Sequence, residues 1–311
     1  VNASGAWFDR VAGKLTAKAP RRIRTTKGIH ITCPLVSRRA VVLFSPVDGR
    51  LFFVIPWLGF SWIGTTDTDF NDDPAQAHAT TSDVSYLLRS SREFFSALNT
   101  EDIYFSNAGV RALVLKEGSE SSVSRMHRIE DGARAGARGL ISVLGGKITG
   151  YRAIAEEVTD LACARLNNQN RCQTNKLLLP GARVALQPQE PPPSDIEPET
   201  VKHLFNLYGS RAYEVLRIAA IEQSLRITLA PDVPDIAAQV LFAVRMEKCL
   251  RLSDFMLRRT LLGFRPDQGQ SASSRAAALM AKELGWTFAR EAAELRAYQD
   301  QIAETQAFRC E

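Results

Sequence analysis

Near the middle of the chain, Gly145-Gly146-Lys147-Ile148-Thr149 combines the features needed to hold an anion or a cofactor against a helix start. Paired glycines leave the backbone bare, so a ligand can reach N–H groups that lack intrahelical partners, and the helix dipole favours negative charge there. The apolar run 140–144 reads as a buried strand leading in. Ile154, Val158, Leu161 and Ala162 recur at helical spacing leading out. A glycine pair that merely ends a buried strand has the same pattern, so the segment by itself leaves both readings open. Three more side chains bear chemistry: His30 alternating with apolar residues, Arg111 after Gly109-Val110, and Arg125 amid serines. Arginine offers a bidentate fork to phosphate, and histidine is suited to taking a proton near neutrality. Taken singly, each is more often structural.

Two nucleotide motifs are excluded. A phosphate loop needs Gly at position 141 and Ser or Thr after Lys147, where the chain has Ile141 and Ile148. The glycines of 132–139 have the wrong spacing for a dinucleotide fingerprint, and no strand precedes them. The 311 residues have room for about two domains. A formal charge of +5 and pI near 9.0 fit small anions or an acidic membrane surface; without interleaved aromatics they do not indicate nucleic acid. The five cysteines, at 33, 163, 172, 249 and 310, form no paired short spacing, which points to reduced thiols and no metal site. No 18-residue apolar segment spans a membrane and no signal-peptide profile is present. Val1-Asn2-Ala3 reads as the tail of a strand without an initiator Met, so the chain is expected to begin inside a larger protein.

The elements that must position these residues divide in two, an α+β pattern. Short β-branched or aromatic runs at 29–33, 40–45, 51–55, 60–63 and 124–129 predict a mostly antiparallel sheet. One helix, about 82–98, covers it with Val84, Leu87, Leu88 and Phe95, capped by Thr81 or Ser82. Residues 180–198 hold six prolines and read as a linker. Everything beyond reads helical: Val201-Leu204-Phe205, Val215-Leu216-Ala219, Ile236-Val240-Val244, Leu250-Leu257-Leu261 and Ala276-Leu279-Met280-Leu284 mark the apolar faces. Thr65-Thr66-Asp67 reads as a strand-end turn.

Taken together, the motifs resemble the C-terminal three-fifths of flavin-dependent glycerol-3-phosphate dehydrogenases, of the D-amino-acid-oxidase-like fold. The likeness rests on Val1-Asn-Ala-Ser-Gly-Ala-Trp7, Lys27-Gly-Ile-His30, Val54-Ile-Pro-Trp57, Ile63-Gly-Thr-Thr-Asp67, Gly109-Val-Arg-Ala-Leu113, Ser124-Arg125, Ser142 to Tyr151, and Met246 to Asp254 with Leu257 to Thr260, all in order. It implies part of an FAD-binding domain at 1–26 and again at 139–166, a substrate-domain sheet at 27–138, a Pro-rich linker at 167–198 and an all-α domain at 199–311. It implies His30 and Arg111 as catalytic, Arg125 and Lys147 on the substrate phosphate, and Gly146, Lys147, Ile148 and Thr149 against FAD. Glycerol 3-phosphate would be oxidised to dihydroxyacetone phosphate with electrons passed to quinone, at the inner face of the cytoplasmic membrane and with a possible homo-oligomer. An oxygen-using oxidase of the same fold and a non-catalytic docking module built on the helical domain are the alternatives. The chain departs from the family's usual pattern at Ile29, Ala112 and Gly150, the last removing a hydroxyl near the cofactor. With the nucleotide loop upstream of Val1, this chain alone is expected to carry no flavin and to be inactive.

Overall fold

The computed structural model describes residues 1–15, 20–115, 126–132, 137–182 and 191–309. Its centre is β1 (Ile23–Pro34), a twelve-residue strand that begins within the 1–26 segment assigned by resemblance to the FAD domain. From Ile23 to Thr32, β1 is flanked by antiparallel β6 (Phe105–Val114). On its other side β4 (Phe60–Gly64) pairs with one end and the two-residue β5 (Thr68–Asp69) with the other. β3 (Leu51–Trp57) and β2 (Val41–Phe44) extend the sheet beyond β4. The expected antiparallel sheet is therefore present for the runs at 29–33, 40–45, 51–55 and 60–63. Of the run at 124–129, residues 124 and 125 lie outside the described residues and 128–129 belong to a separate two-stranded pairing. β6 is a strand that the sequence pattern did not single out.

Alternation along β1 sends Ile29, Ile31 and Cys33 to one face, where they are fully buried with Phe52, Val54 and Ile63 under α2 (Thr81–Arg92). α2 starts one residue earlier than expected, because Thr80 and Asp83 form a capping box, and it stops at Arg92 rather than near 98. Lys27 and Asp83 form a buried ion pair at 2.6 Å that ties β1 to the start of this helix. Burial pushes the Cys33 thiol up to about 12.

α1 (Phe8–Leu15) follows the entry segment. β7 (Arg128–Asp131) pairs with β8 (Ile141–Leu144), and Asn2 bridges to Ser142 in parallel. Leu144 is fully buried and packs with Phe8, Ile23 and Val114. α3 (Tyr151–Arg165) then runs as the spacing predicts, preceded by a tight 3-10 turn, Ile148–Gly150.

The second half is helical: α4 (Pro198–Tyr208), α5 (Ala212–Ile221), α6 (Ala237–Glu247), α7 (Leu252–Asp254), α8 (Gln270–Leu284) and α9 (Phe288–Glu304). The expected helix through Leu250, Leu257 and Leu261 is broken. Lys248 turns left-handed, and α7 passes into a π turn at Phe255–Arg259 and a 3-10 turn at Leu262–Phe264. The break delivers Phe264 onto the sheet, where it packs on Trp57, Trp62 and Phe105 at ring separations of 5.1, 5.8 and 4.3 Å. The end of the chain docks there too. Phe308 joins the sheet core, Ser106 Oγ donates to the Thr305 carbonyl at 2.5 Å, and Arg309 donates to the Ile103 carbonyl at 2.7 Å. No helix of the described residues is long and apolar enough to cross a membrane.

Candidate functional site

The face of the sheet opposite α2 carries His30, and register fixes its neighbours: His30 lies beside Gly64 on β4 and Asn107 on β6, and Gly28 lies beside Gly109. Both glycines next to charged or titratable groups are roofed by them. A Cβ at Gly28 would fall 2.1 Å from Arg111 Nη2, and one at Gly64 would fall 2.3 Å from His30 Cδ2. Arg111 therefore leans over Gly28 toward His30, and small residues are what let the two groups lie flat on the strands.

Arg111 is held from the far side by the segment that the sequence suggested was only a turn. Nη2 donates to Thr65 Oγ1 at 2.9 Å and to the Thr66 carbonyl at 3.1 Å, while Nη1 donates to Asp67 Oδ1 at 3.2 Å. Thr66 is itself fixed, its Oγ1 accepting the Ile29 N–H at 3.0 Å. The sequence signal for this role was thin: three polar residues after a strand, with nothing to say which arginine they would meet.

His30 is half-buried beside Trp62, ring centres 5.7 Å apart. Burial first, and the Arg111 charge second, hold its imidazole down to about 4, well below the ordinary 6.5. The ring is therefore neutral, with a nitrogen free to accept a proton, throughout the physiological range.

A cavity of about 840 Å³ opens at the other end of β6. Ala3, Gly5 and Ala6 form one wall, Val110 to Leu113 another, and Gly145 to Ile148 with Tyr151 and Ile154 the third. Gly145 and Gly146 have φ of +63° and +93°, and a Cβ at either would strike Val114 or sit 3.0 Å from His127 and Ile154. The turn can thus be made only by glycines, and it brings main chain to the cavity surface. Ile148 is 86% exposed at its edge, and Lys147 is exposed there as well.

The structure so brings together Arg111, Gly146, Lys147 and Ile148 around one cavity, with His30 beside Arg111 and outside the lining. Thr149 is exposed in the 3-10 turn and does not line it. The regular helix begins at Tyr151, with Gly150 preceding it. Arg125 lies outside the described residues.

The sheet half with its cavity and the helical half correspond to two known families. Residues 1–161 match the family described as FAD dependent oxidoreductase, and 172–291 match the C-terminal domain of alpha-glycerophosphate oxidase. The chain belongs to the FAD-dependent oxidoreductase family. It is similar to a glycerol-3-phosphate dehydrogenase of Synechocystis sp., 33% identical over 306 residues that cover 92% of this chain and 55% of the relative. It is similar also to an aerobic glycerol-3-phosphate dehydrogenase of Staphylococcus saprophyticus, 33% identical over 98% of this chain and 58% of the relative. Among solved structures, that of the glycerol-3-phosphate dehydrogenase from Bacillus halodurans complexed with FAD superposes with a TM-score of 0.80 at 25% identity, over 97% of this chain and 61% of that one. The chain thus spans little more than half the length of the curated relatives it matches.

Proposed function

We propose that this chain supplies the substrate site and one side of the flavin site of an enzyme that oxidises sn-glycerol 3-phosphate to dihydroxyacetone phosphate. The observation that carries this reading is the convergence of Arg111 and Lys147 on a cavity whose wall is the bare Gly145-Gly146 turn. The residues present fit the ring end of FAD. Ala3, Gly5 and Ala6 line the same cavity as the glycine turn and add little bulk to it, which leaves room for a flat ring beside Gly145 and Gly146. Gly146 to Ile148, the part of the segment that lines the cavity, would hold the ring's polar edge, and FAD, when bound, would supply a hydride acceptor. The adenosine and pyrophosphate need a glycine-rich loop that this sequence lacks, so FAD is expected to be absent from this chain alone and the chain alone to be inactive.

Oxidation removes the C2 hydrogen with its electron pair and the proton of the C2 hydroxyl. His30, neutral above about 4, takes the proton at the ring nitrogen free to accept it. Arg111, fixed by Thr65, Thr66 and Asp67, places its charge where negative charge grows on the C2 oxygen. Lys147, with Arg125, meets the phosphate. The relatives' names support the substrate, and the fold supports the hydride acceptor.

We further propose quinone as acceptor, with the enzyme peripheral on the inner face of the cytoplasmic membrane, no nucleic-acid partner, and a homo-oligomer as a possible assembly. The match of 172–291 to an oxidase domain favours oxygen as a second reading for the acceptor. Turnover of the full-length enzyme with glycerol 3-phosphate separates the two. Reduction of a short-chain quinone without hydrogen peroxide supports the first, peroxide in stoichiometric yield supports the second, and no oxidation with either acceptor overturns the substrate assignment.

A further inference from the structure

Of the three glycines on the His30 face, Gly28 and Gly64 are roofed by Arg111 and His30, and Gly109 is bare, with nothing within 4 Å of where its Cβ would stand. Gly109 is therefore the open floor between the two catalytic side chains. Next along β6 on the same face stands Asn107, directly across from His30 in register and exposed. Cross-strand partners hold their Cβ atoms about 5 Å apart, so the carboxamide and the imidazole flank the same space.

We infer that Asn107 determines substrate specificity by hydrogen bonding the terminal C1 hydroxyl of the polyol phosphate, an inference that rests on the function proposed above. Direction along β6 sets the assignment. Residues 110–113 line the cavity that also holds Lys147, so the phosphate end of a three-carbon substrate points that way. The reacting carbon then lies over Gly109, and the other end of the substrate points toward 107. Two strand residues cover about 7 Å, the scale of such a molecule. A carboxamide has two donors and an acceptor with no charge, which matches a hydroxyl and offers nothing special to an ionised group. No described residue takes the Asn107 carboxamide in a hydrogen bond, so it is available to the substrate.

The test compares kcat/KM of the full-length, FAD-loaded enzyme for glycerol 3-phosphate and for propane-1,2-diol 1-phosphate, which lacks the terminal hydroxyl. Asn107→Ala is expected to lower the value for glycerol 3-phosphate about five- to tenfold and to leave the deoxy substrate unchanged, as fits loss of one neutral hydrogen bond. Asn107→Leu, close in size and without polar atoms, is expected to remove the same preference and guards against a folding defect in the first variant. Equal losses on both substrates, or no loss on glycerol 3-phosphate, would overturn the inference. Wild-type enzyme inactive on both would instead overturn the reading on which it rests, and this inference with it.

Discussion

Gly28→Ala tests whether Arg111 must lie where it does. The added Cβ would stand 2.1 Å from Nη2, 2.4 Å from Nη1 and 2.5 Å from Cζ, whereas ordinary contact begins at 3.4 Å. The guanidinium must retreat by about 1 Å, and that breaks its bonds to Thr65, Thr66 and Asp67, which are 2.9 to 3.2 Å long. It is the end of a flexible side chain, so the clash is relieved cheaply and the fold persists. Gly28 sits in a strand without positive φ, where alanine is easier to order than glycine by about 0.5–1 kcal/mol. The loss falls on the chemistry instead. A displaced charge forfeits a charge-assisted hydrogen bond of about 1.5–3 kcal/mol. At about 1.4 kcal/mol per decade that is roughly a 10- to 150-fold fall in kcat/KM. Steady-state kinetics on glycerol 3-phosphate with a thermal melt on the same preparation measures both quantities. Unchanged kcat/KM, or a large fall in Tm with normal activity per folded molecule, would refute the reasoning.

Three further outcomes are expected. His30→Asn should lower the plateau of kcat/KM by about 10²–10⁴ and remove an acid limb near pH 4, because below about 4 the wild-type imidazole is protonated and cannot accept a proton; a wild-type limb that survives the substitution would move the base elsewhere. The substrate's own second phosphate ionisation, near ~6, remains in both profiles. Asp67→Asn should cost roughly three- to tenfold in kcat/KM, less than Gly28→Ala, because Thr65 and Thr66 still hold Arg111 and the amide oxygen can still accept its N–H, so only the extra strength of the carboxylate's charge is lost. Phe308→Ala should destabilise the protein by about 3–5 kcal/mol in urea, since this side chain is 3% exposed within the sheet core; a loss under about 1 kcal/mol would mean the chain end does not dock there.

Much of this architecture was legible in the sequence because it is written locally. β1 to β4 follow β-branched and aromatic alternation between turn residues, α2 follows its apolar spacing, and the turn at Gly145-Gly146 announces itself by composition. β6 was not legible. Ser106, Asn107 and Gly109 weaken its strand signal, and what stabilises it is pairing over its whole length with Ile23 to Thr32 of β1, a non-local fact that no window of sequence contains. The break after α6 was hidden for a similar reason. Leu250, Leu257 and Leu261 keep helical spacing, yet packing of Phe264 on Trp57, Trp62 and Phe105 overrides the local pattern. In the site, His30, Arg111 and Lys147 were visible by type. The low proton affinity of His30 was not, because it comes from burial and from an arginine 81 positions away in sequence. The clasp of Thr65, Thr66 and Asp67 on Arg111 likewise exists only once β4, β1 and β6 are side by side.

The most direct test of the proposed chemistry is an anaerobic titration of the full-length, FAD-loaded protein, followed by the visible absorption of oxidised flavin. Glycerol 3-phosphate should bleach the band, with glycerol bleaching it only at far higher concentration, and Lys147→Ala should narrow that difference because the phosphate loses a charged partner. Glycerol and glycerol 3-phosphate bleaching the band with the same concentration dependence, or neither bleaching it, would contradict a phosphate-anchored substrate between Arg111 and Lys147.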